Sequence, residues 1–211
     1  NKISEGSRNS IVGNLLGGPG SCGARDERQF FTGDTALAAE ASLLHYDVPA
    51  LYSHWLQTVA DQQRPTGAIG EYGPDTVGDD REGHTNWGTG FPTVAWMLWW
   101  HYGDTGVIER HLPQLKAYVG FLEAQYNLTR SNGSQVGNLR NYWPHGCICG
   151  WITLGAHPEP SLMTSVGYIN GLRMMADMAE AVADAESNNG AVYRQRYQAR
   201  LKEFHTAFYN S

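Results

Sequence analysis

With 211 residues, 41% hydrophobic and 17% charged, the chain is long enough to bury a core and too apolar for global disorder. A net charge of −6, with no basic grouping larger than pairs such as Arg194/Arg196, leaves no electrostatic footprint for nucleic acid or an anionic membrane surface. The longest apolar runs, such as Trp96 to Trp100, are far shorter than the roughly 18 residues a bilayer span requires.

The chain opens on polar residues without an initiator methionine, which predicts a processed or truncated N-terminus. The glycine-rich run Gly17-Gly18-Pro19-Gly20 follows. No strand precedes it and no Gly-Lys-Ser/Thr comes after it, so it is not a phosphate loop and reads as a flexible approach to the next stretch. That stretch, Arg25-Asp26-Glu27-Arg28-Gln29-Phe30-Phe31-Thr32-Gly33-Asp34, packs charge beside aromatics at a loop-to-helix junction. Glycoside hydrolysis needs one carboxylic acid to protonate the leaving oxygen and a second carboxylate to activate water or attack. Asp26, Glu27 and Asp34 are the candidates for one half of that pair. Arg25 and Arg28 pull the Glu27 carboxyl toward ionisation, whereas burial beside Phe30 and Phe31 and repulsion by Asp26 oppose it. Asp34 is equally placed to cap the following helix.

Apolar residues then recur near a 3.6 period in six segments, about 35–45, 49–62, 92–102, 106–126, 162–185 and 191–209, and alternate strictly in none. The spacing predicts an all-α body. Asp47 and Pro49 suggest a cap and first turn, and Gly103-Asp104-Thr105 a stop followed by a new start. Trp96, Trp99 and Trp100 fall at helical spacing on one face and are expected in the core. Short links join the segments into antiparallel pairs, whereas residues 1–33, 63–91 and 127–161 are far longer than ordinary connections. In an up-down array the tight turns share one end, so the three long segments gather at the other.

That end is expected to bring Glu71, Tyr72, Asp75, Asp79, Asp80, Arg81, Glu82, His84 and Trp87 from the middle segment near Tyr142, Trp143, His145, Trp151 and His157 from the third. Carboxylates interleaved with tryptophans suit a carbohydrate substrate, whose C–H faces stack on rings while its hydroxyls take polar partners. Cys147-Ile148-Cys149 with His145 and His157 does not match a common zinc spacing, so neither a metal nor another cofactor is expected. Cys22 with one of the later cysteines is compatible with a disulfide, and three free thiols are the alternative. No Gly-x-Ser-x-Gly elbow is present. Two sequons, at Asn127 and Asn132, fall in a polar stretch read as surface loop and favour glycosylation in the secretory pathway or outside the cell.

The run Ser21-Cys22-Gly23-Ala24-Arg25-Asp26-Glu27-Arg28-Gln29-Phe30-Phe31-Thr32-Gly33-Asp34 resembles the Asp-Cys-Pro-x-Arg-(Asp)-Glu-Arg-x-Gly-Trp-Thr-Gly-Asp signature of bacterial-type α-L-rhamnosidases, glycoside hydrolase family 78. Asn86-Trp87-Gly88-Thr89, the helix ending Tyr102-Gly103-Asp104, and Met174-Met175-Ala176-Asp177-Met178-Ala179-Glu180 extend the similarity over most of the chain. The resemblance implies an (α/α)6 toroid and inverting hydrolysis of terminal α-L-rhamnosyl residues. It also implies Glu27 as general acid, Asp34 as a holder of substrate hydroxyls, and Trp87 as a wall of the sugar pocket. Ser21 and Phe31 occupy two further substrate-binding positions, where the signature has aspartate and tryptophan, and Thr89 stands for an aspartate. Six helices are half of such a toroid, so residues 1–33 are expected as a loop segment carrying the acid motif and 34–211 as the helical part of an incomplete barrel. The remaining half, or a second chain, would supply the base glutamate and cover an exposed apolar seam. The alternative to a glycosidase is a carbohydrate-binding or structural homologue that kept the toroid and lost catalysis.

Overall fold

The computed structural model describes residues 1–20, 26, 28–76, 78, 84–131, 155–156, 158–182 and 189–209. Among them the helices are α1 (Lys2–Asn14), α2 (Thr32–His45), α3 (Pro49–Asp61), α4 (Thr85–Gly88), α5 (Gly90–Tyr102), α6 (Thr105–Ser131), α7 (Pro160–Ala181) and α8 (Asn189–Phe208). The one β feature among these residues is an isolated antiparallel bridge between Phe31 and Tyr72.

The expected punctuation holds at several ends. Pro49 and Pro160 open α3 and α7, where a missing N–H costs nothing. Gly103 closes α5 in the left-handed region at φ 68°, its N–H bonded to the Trp99 carbonyl at 2.7 Å. Two caps differ from expectation. Val48, not Asp47, precedes α3 and gives no side-chain cap. Phe31, not Asp34, precedes α2, which begins three residues before the apolar period does because Thr32 is tied to the middle loop. Asp34 therefore lies inside the first turn, where a carboxylate complements the helix dipole.

Residues 1–33 are not all loop. Residues 2–14 form α1, which buries none of its side chains and so leaves no apolar period to read. Asn1 caps it, accepting from the Ile3 N–H at 3.1 Å, and the Tyr46 hydroxyl donates to the Arg8 carbonyl at 3.0 Å. The glycine-rich run is packed rather than flexible. Gly18, Pro19 and Gly20 are buried, Thr35 donates to the Pro19 carbonyl at 2.5 Å, and the Phe30 ring lies against Gly18 and Gly20.

The helices make about half of a helical toroid, in which α5/α6 and α7/α8 pack as consecutive pairs while α3, following α2, packs on α5 and α6. Helices α2, α5 and α7 form one layer, with α5 in contact with both α2 and α7, while α3 and α6 pack behind α5 and α8 packs along α7. Phe91, Leu98, Ile108, Tyr118, Leu122 and Tyr168 fill the space between the layers at 2% exposure or less. The opposite face of the first layer is open. Leu37 and Leu44 of α2, Trp100 of α5 and Val166 of α7 are 87%, 69%, 63% and 40% exposed, so each helix of this layer carries an exposed apolar side chain. The tryptophans are accordingly not all core: Trp96 and Trp99 are partly buried, and Trp100 stacks on Trp96 at 5.2 Å with its outer side exposed.

The first layer is held at its loop end by a very close approach. A Cβ on Gly90, the first residue of α5, would fall 2.2 Å from the Thr32 carbonyl oxygen at the start of α2. No rotamer change relieves a backbone clash, so Gly90→Ala should lower stability by about 3 kcal/mol or more. An unchanged denaturant midpoint would show that the two helices are free to separate.

His111 of α6 is buried edge-on to Phe91, and its Nε2 has no hydrogen-bond partner among the described residues. Burial holds its imidazole below the ordinary value of 6.5, Arg110 pushes the same way, and Asp61 opposes them. As pH falls through about 6.5 the unfolded chain takes up a proton that the native state refuses, so stability is full above that value and declines below it. Urea midpoints at about pH 7.5 and about pH 5.5 should therefore differ less in His111→Gln than in the native protein.

Candidate active site

The N-termini of α2 and α5 meet α4, which also packs on α7, and the middle loop stitches this end together. The Thr32 N–H donates to the Glu71 carbonyl at 2.8 Å, the Thr32 hydroxyl reaches the Gly70 carbonyl at 3.1 Å, and the Gly73 N–H donates to the Phe30 carbonyl at 3.0 Å. Residues 30–32 and 70–73 thus run side by side for a short distance, and the Phe31 and Tyr72 rings meet at 4.8 Å. The bridge explains why no strand was legible: it is too short for a period of two.

The single turn α4 carries Trp87 into this junction. The Trp87 and Gly88 N–H groups both donate to the His84 carbonyl at 2.9 Å. The indole of Trp87 covers Gly33, where an added Cβ would sit 3.0–3.2 Å from three of its ring atoms. Its Nε1 is buried without a hydrogen-bond partner among the described residues. Behind the turn, the Tyr118 hydroxyl donates to the Thr85 carbonyl at 3.3 Å and lies 3.2 Å from the Thr89 hydroxyl. Burial pushes the Tyr118 phenol well above its ordinary value, against a smaller lowering by its hydrogen bond with Thr89. It therefore serves as a neutral hydrogen-bonding strut.

Of the sequence-derived site residues, the fold brings Phe31, Asp34 and Trp87 to one place. Phe31 precedes α2, Asp34 is partly exposed in its first turn, and Trp87 overlies the Gly33 between them. Glu27 and Ser21 lie outside the described residues, as do Asp79, Asp80, Arg81 and Glu82, the third-loop aromatics and histidines, and Asn132 with the three cysteines. Asp26 and Arg28, which flank Glu27, are described, and Arg28 adopts φ 49°, the left-handed region that a residue with a Cβ rarely occupies. Asn127 is exposed but belongs to α6 rather than to a loop, because the helix runs on through a polar sequence to Ser131. Thr89, at the position of the signature aspartate, is 8% exposed and faces inward.

Sequence reasoning placed Glu71 and His84 in the gathering of loop residues but did not pair them. Glu71 is 3% exposed, and its Oε1 is in direct contact with His84 Nδ1. The two are thirteen positions apart in the chain, and no local pattern signals such a contact. A separate cavity of about 260 Å³, lined by Gln62, Arg64, Tyr72 and Asp75 among others, shares Tyr72 with this region but neither Asp34 nor Trp87. No helix among the described residues is long and apolar enough to cross a membrane.

Comparison with known proteins places this architecture. The chain is 25% identical over 202 residues to an alpha-L-rhamnosidase of Formosa agariphila, and 27% identical over 196 residues to one of Streptomyces avermitilis. These matches take in 95% and 93% of the chain but 21% and 17% of those relatives, so it spans about a fifth of their length. Among solved structures, the alpha-L-rhamnosidase from Dictyoglumus thermophilum superposes with a TM-score of 0.82 at 24% identity, over 99% of this chain and 22% of that one. The Streptomyces avermitilis alpha-L-rhamnosidase complexed with L-rhamnose gives 0.80 at 25% identity, over 97% and 19%. The family model described as the bacterial alpha-L-rhamnosidase 6 hairpin glycosidase domain matches residues 1–211, and with about half of the helical toroid and the loop-end junction in place, the chain belongs to that family.

Proposed function

We propose that the chain forms part of a glycoside hydrolase that removes terminal α-L-rhamnosyl, or similar deoxy-sugar, residues by inverting acid/base hydrolysis. Glu27 is the general acid, Asp34 holds sugar hydroxyls, and Phe31 and Trp87 form apolar walls, with Ser21 at the remaining substrate position. The observation that carries this reading is the convergence of Phe31, Asp34 and Trp87 around Gly33 at the loop end of the array. Glu27 stands four residues before Phe31 in the same segment. The relatives' names, and the L-rhamnose bound to one of them, support the choice of sugar. Inversion also requires a second carboxylate about 6.5–9.5 Å from the acid, leaving room for a water between them. That role is not assigned to a residue of this chain.

The second reading is a sugar-binding or structural homologue without catalysis. Thr89 favours it: where the signature has an aspartate, this hydroxyl is occupied by the Thr85 carbonyl and the Tyr118 hydroxyl in the interior. Location in the secretory pathway or outside the cell, with a glycan on the exposed Asn127, is part of the same proposal and is checked by a mass shift on deglycosylation.

Release of the phenol from an aryl α-L-rhamnoside decides between the two. Glu27→Gln should slow release by about 10²–10⁴-fold while leaving L-rhamnose binding in place. Equal rates in native and variant protein would remove Glu27 from catalysis, and binding without turnover in the native protein would favour the second reading. Gly33→Ala, which presses a methyl group into the Trp87 indole, should raise KM by about tenfold with a smaller change in kcat.

A further inference from the structure

The contacts at the loop end form a closed circuit. Thr32 is bonded through its N–H to the Glu71 main chain at 2.8 Å, and the Glu71 side chain meets His84. The His84 carbonyl anchors the turn bearing Trp87, and Trp87 rests on Gly33, which is covalently next to Thr32. Each link fixes the next, and the only link made by two ionisable side chains is Glu71 with His84.

A carboxylate buried as deeply as Glu71 is costly unless a donor meets it, so the middle loop cannot shift without carrying His84 along. A single turn does not hold itself, because helix nucleation fixes several residues for one hydrogen bond. The position of α4, which runs into α5 through Thr89, is therefore set by what it touches, α2 and α7 as well as the partners at its two ends. Tyr118 holds the Thr85 carbonyl and Thr89 hydroxyl on the interior side, where Gly88 also passes within 3.0–3.1 Å of the Tyr118 ring edge and hydroxyl at its would-be Cβ. On the loop side the hold is His84 on Glu71.

We propose that Glu71 and His84 are a positioning pair that sets the Trp87 indole against Gly33, so that affinity for the sugar depends on two residues that need not touch it. This rests on the reading of Trp87 as a wall of the rhamnose pocket. The pair acts on binding rather than on bond cleavage: it moves a stacking surface and leaves the acid at Glu27 chemically unchanged.

The test reads the indole directly. The protein has seven tryptophans, so its indole ¹H–¹⁵N signals are few, and Trp87→Phe assigns the relevant one by its loss. Glu71→Leu, which keeps the main-chain bonds to Thr32 but removes the side-chain acceptor, and His84→Phe, which keeps the ring but not Nδ1, should shift or broaden the Trp87 signal. The Trp96, Trp99 and Trp100 signals should stay in place. L-rhamnose titration and KM for the aryl rhamnoside should each worsen by about tenfold, with kcat within about twofold. His84→Asn, whose side-chain amide nitrogen can stand near the Nδ1 position, should restore both the signal and the affinity. The inference is overturned if Glu71→Leu and His84→Phe leave the Trp87 signal and the affinity as in the native protein. It is equally overturned if His84→Asn is as damaged as His84→Phe. A native protein that binds no rhamnose would refute the sugar reading alone, since the Trp87 signal reports the pair without any ligand.

Discussion

The contact between the Gly90 Cα and the Thr32 carbonyl is the constraint from which the loop end is built. Two helix N-termini can come this near only where one of them lacks a Cβ, and the approach brings α5 and α2 together at their starts. Thr32 and Gly33 are then committed: one pairs with the middle loop, the other has no room for anything between its Cα and Trp87. The start of α2, the short bridge at Phe31 and Tyr72, and the seat of α4 all follow from that approach. Remove it, and the residues proposed to hold a sugar no longer share a place.

Stability and function are divided along the helices. The interior between the layers is dense and apolar, and even its polar members, such as Tyr118 and Thr89, are turned to mutual hydrogen bonds. The open face of the first layer is different. Trp96 donates its indole N–H to Asp177 at 3.1 Å, and Arg173 lies over the Trp96 ring at 5.0 Å and pairs with Asp177 at 3.3 Å. Arg194 of α8 also binds Asp177, at 2.7 Å, and bonds held by two carboxylates keep its guanidinium firmly charged. This half-exposed polar network stands beside the exposed Trp100, which stacks on Trp96 at 5.2 Å.

Membership of the six-hairpin family gives the arc its context, because the matched stretch corresponds to about a fifth of the relatives' length. It also sharpens what differs. Phe31 still provides an aromatic face at a tryptophan position and meets Tyr72 across the bridge, whereas Thr89 has exchanged a carboxylate for a buried hydroxyl. The first change conserves a surface; the second converts a signature position into part of the interior.

The sequence by itself determined the all-α body and its six long helices, because apolar periodicity, proline starts and the Gly103 stop are local properties of the chain. It also named Glu27, Asp34 and Trp87, through a motif whose order is linear. It did not show α1, which has no buried face, or the first turn of α2, which is held by bonds to residues 39 positions away. Only the tertiary structure decided that Asp34 sits inside a helix rather than capping it, that the glycine run is packed, and that Glu71 and His84 form a pair. Each of these depends on contacts between segments distant in the chain, and such contacts leave no period, cap or spacing in the sequence.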